Sequence, residues 1–334
     1  MGQIWDTIIV QPIAFLLRAF YELTGNYGAA ILLFALTAKA ILFFFSFKGK
    51  KGMLKQQRLQ PKLAALQKQY GTDRAKFQQA QAKLYQDEGV SMFGGCLWML
   101  IPFPLIIALY GAVRAPLSYI WRLTGDQITS IGAKITDAGY TWVDINNQLS
   151  IANELGTPSS FTMAKEAAGI TIDKTINFNF LGLNLADVPK ITTLLVLIPL
   201  LSAFTSFLSA WLTQKFSGQK TAGGNNMMMT VLLGPGISLW IGFTWPAALG
   251  VYWIAQNLLQ IPQEYFLTKH FNKILDEEEA QKQALEDRRK EAEAKQKEED
   301  RQRRAERIAA QNKKHKPKRY KLQNNKPTDD EESE

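Results

Sequence analysis

GNYGAAILLFALTAKAILFFFSFKGKK, residues 25–51, decides what kind of protein this is. Residues 29–47 are apolar except for Thr37, Lys39 and Ser46, and the run ends in Lys48, Lys50 and Lys51. A helix needs roughly 20 predominantly apolar residues to cross a hydrocarbon core about 30 Å thick, so the stretch reads as a membrane span with a basic, water-side end. Outward along the chain the same template fits residues 94–113, 191–212, 227–243 and 247–267. Little more than Trp245 and Pro246 parts the last two, which predicts a tight membrane hairpin.

Of the 334 residues 46% are apolar, an ordinary share that is gathered into these runs. Two histidines and one cysteine, Cys96 within an apolar run, leave no disulfide framework, zinc-ligand cluster or Cys/His nucleophile. The chain has no phosphate-binding Gly-Lys-Ser/Thr loop. Neither enzymatic chemistry nor a cofactor is expected, and the formal charge of +9 becomes a question of topology.

Lys and Arg in short loops mark the cytoplasmic side. Residues 48–91 hold ten basic residues against three acidic, and 214–226 hold Lys215 and Lys220 with no acid. Residues 115–190 carry seven acidic against five basic, and 19 basic residues follow Thr268. One topology satisfies all of these, with the amino terminus outside and the carboxyl tail in the cytoplasm. The chain then divides into an outer amphipathic helix (1–25) and spans at 26–47, 92–114, 189–213, 227–244 and 247–268. Between and after them come a cytoplasmic helical hairpin (48–91), an extracytoplasmic loop (115–188), a cytoplasmic loop (214–226) and a charged tail (269–334).

Nothing basic precedes Arg18, so residues 8–23 lack the n-region of a signal peptide. Ile13, Leu16, Leu17, Phe20 and Leu23 recur at helical spacing, with Gln11, Arg18 and Glu22 off that stripe. The pattern predicts a helix lying in the outer interface, started at Pro12 and stopped at Gly25, because Pro12, Arg18 and Glu22 interrupt it as a span.

In the cytoplasmic hairpin, Leu59, Leu63, Leu66 and Tyr70 form one stripe and Phe77, Ala80, Leu84 and Tyr85 another, with Gly71 and Gly89 placed as terminators. Its basic surface fits both a topology signal and a docking face. In the outer loop, Tyr119 and Trp121 read as interfacial anchors and residues 170–185 alternate enough for short strands. After His270, acid-first pairs such as Glu278 with Lys282 and Glu286 with Lys290 predict a long solvated helix. Lys313, Lys314, Lys316, Lys318, Arg319 and Lys321 then crowd nine positions. Such a cluster suits ribosomal RNA or anionic lipid, and a solubilising tail reads equally well.

Inside the membrane Lys39 stands out, because a charge there is costly and marks function by default. It lies about 13 Å along a helix from Lys48, too deep for its ammonium to reach the headgroups in full, and so needs a wet cavity. Ser202, Thr205, Ser206 and Ser209 share one helix face. Tyr252 or Trp253, Gln256, Asn257, Gln260 and Gln263 form a stripe in the last span. Small hydroxyl residues also favour close packing of membrane helices, and that reading is preferred for the Ser/Thr stripe. The only acidic candidate near Lys39 is Glu264.

EGVSMFGGCLWMLIPFPLIIALY, residues 88–110, resembles the loop and second span of the YidC-type membrane protein insertases, which include the mitochondrial oxidase-assembly and chloroplast Albino proteins. NNMMMTVLLGPGISLWIGFTWPAALGVYWIAQNLL, residues 225–259, resembles the family's Met-rich start, aromatic-Pro turn and Leu-x-x-Tyr-Trp-x-x-x-Asn pattern, with Gly250, Tyr252, Trp253 and Asn257 in register. The opening stretch is similar to the family's first core span. The resemblance covers about residues 11–115 and 178–268. It implies an all-α membrane protein of a bacterial plasma membrane, whose five transmembrane helices surround a hydrophilic groove open to the cytoplasm and lipid. Lys39 stands where the family carries an arginine, keeping the charge but losing the bidentate fork. Trp98 replaces a usual proline and Pro102 a usual glutamine. The layout, without a large periplasmic domain, is similar to Gram-positive members.

The resemblance implies an insertase and chaperone that moves polar segments of nascent membrane protein clients across the bilayer. The groove residues implied are Lys39, Thr37, Ser202, Thr205, Ser206, Ser209, Tyr252, Trp253, Gln256, Asn257 and Gln260. Its partners are the client, the lipid bilayer and, through the basic cluster, a ribosome, with a Sec translocon as a further candidate. A small transporter or channel, or a scaffold that only recruits ribosomes, would use a buried lysine and basic segments too.

Overall fold

The computed structural model describes residues 2–91, 100–140, 143–144, 147–156, 162, 166, 175–217 and 224–314. They fall into two compact units, Met1–Lys273 and Ile274–Glu334.

A short helical turn, Gly2–Trp5, passes through a π-helical turn, Asp6–Val10, into α1, Gln11–Thr24. Pro12 therefore does not begin the helix. Proline lacks an N–H and its ring crowds the carbonyl one turn back, and the wider π turn just ahead of it accommodates both. Gly25 closes α1 in the left-handed region, at φ +64°, where its N–H donates to the Tyr21 carbonyl at 2.8 Å. The protein-facing side of α1 is Ala14 and Leu17, continued by Val10 of the π turn. Leu23, placed on that stripe from the sequence, is instead 76% exposed beside the end of the helix, where Tyr21 makes the contacts of the last turn.

Helix α2, Tyr27–Arg58, is capped by Asn26, whose side chain accepts from the Ala29 N–H at 3.1 Å. It runs well past its apolar stretch and gives way to α3, Gln60–Tyr70, where Pro61 occupies the first turn. Helix α4, Arg74–Asp87, returns against α3. Asp73 caps it, and the Lys76 backbone N–H and side chain hold the Asp73 carboxyl below its ordinary range. Leu59, Leu63 and Tyr85 are the buried contact of this hairpin, with Leu84 and Val90 beside them. Leu66, Tyr70, Phe77 and Ala80 lie outside that buried cluster. The two stripes meet only at the end nearest α2.

Helix α5, Pro102–Arg114, is the described part of the second apolar run; Cys96 and Trp98 lie outside the described residues. The segment that the charge pattern assigns to the outside follows, with α6, Gly125–Asp137, and α7, Gln148–Glu154. A two-stranded antiparallel hairpin pairs β1, Asn179–Phe180, with β2, Leu183–Asn184, matching Asn179 to Asn184. Of the alternating stretch read from the sequence, residues 170–174 lie outside the described residues, and in the rest only these four are strand. Tyr119 donates to the Asp6 carboxylate, and its burial, then that bond, push the phenol up.

Helix α8, Leu197–Ser217, pairs with α9, Gly224–Thr244, and Trp245–Pro246 turns the chain into α10, Ala247–Lys314. The free N–H groups at the start of α10 are met by the outer segment. Ala247 donates to the Asp187 carbonyl at 2.9 Å and Ala248 to that of Leu185 at 3.0 Å. Tyr27 at the start of α2 likewise donates to Asn177 at 3.0 Å. This segment thus holds the first turns of two apolar helices.

One apolar core joins α1, α2, α5, the outer segment and the start of α10, from Leu17, Ile31 and Phe34 through Leu109 and Ile131 to Leu185 and Tyr252. Ala30, Ala35, Ala108, Ala112 and Ala248 in it let backbones approach closely, the main source of helix association where lipid is as apolar as leucine. Gly28 shows the same economy, since a Cβ there would sit 2.3 Å from the Phe180 ring. Outward, Leu36, Ile41, Phe44, Phe103 and Phe204 are each more than half exposed, a surface suited to hydrocarbon.

Among the described residues, three helical stretches are long and apolar enough to cross a membrane: Asp6–Thr24, Tyr27–Arg58 and Leu194–Ser217. Pro102–Arg114 and Leu232–Thr244 are shorter apolar helices. The chain is an all-α membrane protein. Within Ile274–Glu334, every residue from Glu279 to Gln311 is exposed along α10, as the acid-first charge pairs predicted for a solvated helix.

Candidate functional site

The polar residues within the apolar helices are brought together in two clusters by the face that α10 presents. Gln256, Gln260 and Glu264 stand four apart and so line one side of a helix. Opposite them on α2, Lys39 and Lys50 are eleven positions apart, close to three turns at about 3.6 residues each, and so share a face as well.

These two faces meet in a continuous chain of bonds. The half-buried Lys39 ammonium donates to Gln260 Oε1. Gln260 Nε2 donates to Glu264 Oε1 at 2.8 Å, and the second oxygen of Glu264 pairs with Lys50 Nζ. Lys50 is only 3% exposed and Glu264 7%. Toward the start of α10, Gln256 Nε2 donates to the Ala35 carbonyl at 2.9 Å. Further along it, an Arg58 guanidinium nitrogen donates to Asn272 Oδ1 at 3.2 Å. The ends of this seam are aromatic, Phe34 with Tyr252 and Phe47 with Phe271.

The second cluster lies between α8, α9 and α10. Asn257 Nδ2 donates to the Ser202 carbonyl at 3.3 Å and to Thr205 Oγ1 at 3.2 Å, while the Ser202 and Ser238 hydroxyls bond at 2.6 Å. Ser202, Thr205, Ser209 and Ser238 are all buried. Ser206 lies against Gly234, where an added Cβ would be 3.3 Å from its Oγ. These are neutral, short-range contacts of the kind that pack membrane helices.

The residues singled out in the sequence therefore divide. Lys39, Gln256 and Gln260 join the charged seam, and Ser202, Thr205, Ser206, Ser209 and Asn257 belong to the helix contact. Thr37 donates back to Leu33 within its own helix at 2.9 Å and joins neither. Tyr252 belongs to the apolar core, and Trp253 is half-buried. Of the basic cluster, Lys313 and Lys314 end α10, and Lys316, Lys318, Arg319 and Lys321 lie outside the described residues. Sequence reasoning missed Lys50 and Ser238. The three-turn spacing from Lys39 was the available signal for Lys50, hidden because Lys50 was counted as a loop charge.

Among the described residues four buried oxygens have no hydrogen-bond partner: Gln57 Oε1, Gln214 Oε1, Gln263 Oε1 and Thr268 Oγ1. They lie on α2, α8 and α10.

Residues 19–274 match the family described as 60Kd inner membrane protein. The chain is similar to the membrane protein insertase YidC of Pelobacter propionicus, at 28% identity over 268 residues that cover 80% of this chain and 40% of that protein. It is similar to that of Cellvibrio japonicus at 28% over 269 residues, 80% of this chain and 37% of the relative. With that of Dechloromonas aromatica it shares 41% over 106 residues, 32% of this chain and 19% of the relative. The chain thus spans less than half the length of these relatives.

Proposed function

Because the chain belongs to the 60Kd inner membrane protein family, we propose that it inserts membrane proteins, taking polar segments of a client across the bilayer through a hydrated groove and releasing the client helix into lipid. The observation that carries the reading is Lys39, half-buried in the apolar part of α2, whose amine is bonded to a neutral amide oxygen of α10 and not to a carboxylate.

An aspartate at the bilayer centre costs about 2.5–3.5 kcal/mol on insertion scales, and that cost is what a client with an acidic outgoing segment must meet. A groove that admits water shortens the apolar path. Lys39 offers the passing carboxylate a counter-charge, stronger in a low dielectric than in water. The client's apolar helix then leaves sideways, driven by removal of its own surface from water. Water in the groove is supported by the four orphan oxygens, since buried polar groups in folded proteins are paired with protein or with water.

The groove of this reading is built from five transmembrane helices: the apolar part of α2, the run that contains α5, then α8, α9 and the first part of α10. It opens to the cytoplasm, while the core around the outer segment closes its other end. Asp6–Thr24, with Asp6, Arg18 and Glu22 along it, lies in the outer interface, although its length and apolarity also reach those of a span. The amino terminus is then outside and the tail cytoplasmic, where Lys313, Lys314, Lys316, Lys318, Arg319 and Lys321 bind a ribosome.

Insertion into liposomes of one client made with an acidic or a neutral outgoing tail tests the reading. Lys39→Ala lowers insertion of the acidic form and spares the neutral one, while Lys39→Arg is tolerated. Equal insertion of both forms by Lys39→Ala would contradict it.

A further inference from the structure

The buried Lys50–Glu264 pair is not needed to explain insertion, yet it is bonded directly into the residue that holds Lys39. A carboxylate only accepts and an ammonium only donates, so the orientation of Gln260 between them is fixed. Its amide nitrogen must face Glu264, at 2.8 Å, and its carbonyl oxygen must face Lys39. Reverse the amide and both bonds become donor against donor and acceptor against acceptor.

Charge is apportioned along the same chain. Two ammonium groups, Lys39 and Lys50, share one carboxylate, so one positive charge is left over. Lys50 takes the carboxylate directly, and a neutral amide stands between that carboxylate and Lys39. Lys39 is held in place without being neutralised. Were its anchor removed, a side chain with a long flexible stem would turn its ammonium toward water and out of the client's path.

We propose that Glu264 is a positioning residue for Lys39, acting through Gln260, and that Lys50 keeps its carboxylate from neutralising the groove. The inference rests on the groove reading above and specifies its client: the site has charge to spare for one carboxylate at a time.

The test uses the full chain in liposomes with the acidic-tailed and neutral-tailed client. Three variants break the relay differently. Gln260→Leu leaves the ion pair intact. Lys50→Met with Glu264→Met removes the pair and with it the acceptor that orients Gln260. Lys50→Glu with Glu264→Lys keeps an ion pair but puts a donor at position 264, which draws the Gln260 carbonyl away from Lys39. Each lowers acidic-tail insertion by about tenfold relative to neutral-tail insertion by the same variant, the factor carried by one hydrogen bond to an ionised group. A purely structural role would lower both clients together, and that result overturns the inference, as does parental insertion of both. If Lys39→Ala itself ignores tail charge, the groove reading fails and this inference with it; if Lys39→Ala discriminates and these variants do not, the inference alone fails.

Discussion

Lys50 and Glu264, 214 residues apart in sequence, are buried against each other as an ion pair. Taking two charges out of water is costly, and the pair is sustained by its contact and by the Gln260 amide that occupies the other carboxylate oxygen. Lys50→Met leaves Glu264 buried and unpaired, with an expected loss of about 3–5 kcal/mol, whereas Lys50→Met with Glu264→Met returns to near parental stability. Thermal unfolding in detergent checks this; losses that simply add would show that the two residues do not stabilise each other.

Gly250 lies where α10 crosses α8, and a Cβ there would meet Ile198 Cγ2 at 2.3 Å. Gly250→Ala is expected to destabilise by about 1–3 kcal/mol, the usual effect of overpacking. Ile198→Ala in the same chain makes the room and restores most of it. Unfolding midpoints of the three proteins read this directly, and a failure of rescue would place the strain elsewhere.

The Asn257 cluster is a helix contact in this account and not a client site. Asn257→Leu should cost about 0.6–1.7 kcal/mol, the measured range for hydrogen bonds between membrane helices, with equal small effects on acidic and neutral clients. A selective loss of acidic clients, like that of Lys39→Ala, would move Asn257 into the site.

Deleting residues 313–326 removes the dense basic cluster from the tail. Binding through several Lys or Arg contacts to phosphates weakens steeply with salt, so ribosome co-sedimentation of the parent falls as salt rises and the deleted chain shows little at low salt. Unchanged sedimentation of the deleted chain at low salt would remove the tail as a tether.

The apolar runs at 29–47 and 191–212 were legible because hydrocarbon thickness dictates their length, and Gly25 marked a helix end by backbone chemistry that acts within one turn. The stripes of α3 and α4 were legible as stripes, but which parts are buried depended on how far the two helices overlap, which no local pattern records. The outer segment resisted reading for a similar reason. Its carbonyls at Asn177, Leu185 and Asp187 serve the ends of α2 and α10, and backbone groups carry no sequence signature. At the site, Lys39 announced itself by cost. Its partner Gln260 was visible only as one amide among several, and Lys50 was hidden by the rule that basic residues after a span belong to a loop, although α2 continues through it to Arg58.

Whether Lys39 faces water reached from the cytoplasm is read by placing a cysteine at position 39 with Cys96→Ser, and adding a membrane-impermeant maleimide to sealed vesicles of each orientation. Labelling is expected when the cytoplasmic face is outward and none when the opposite face is outward. A cysteine at position 39 that stays unlabelled from the cytoplasmic face, while one at exposed Lys48 in the same preparation reacts, would contradict this placement.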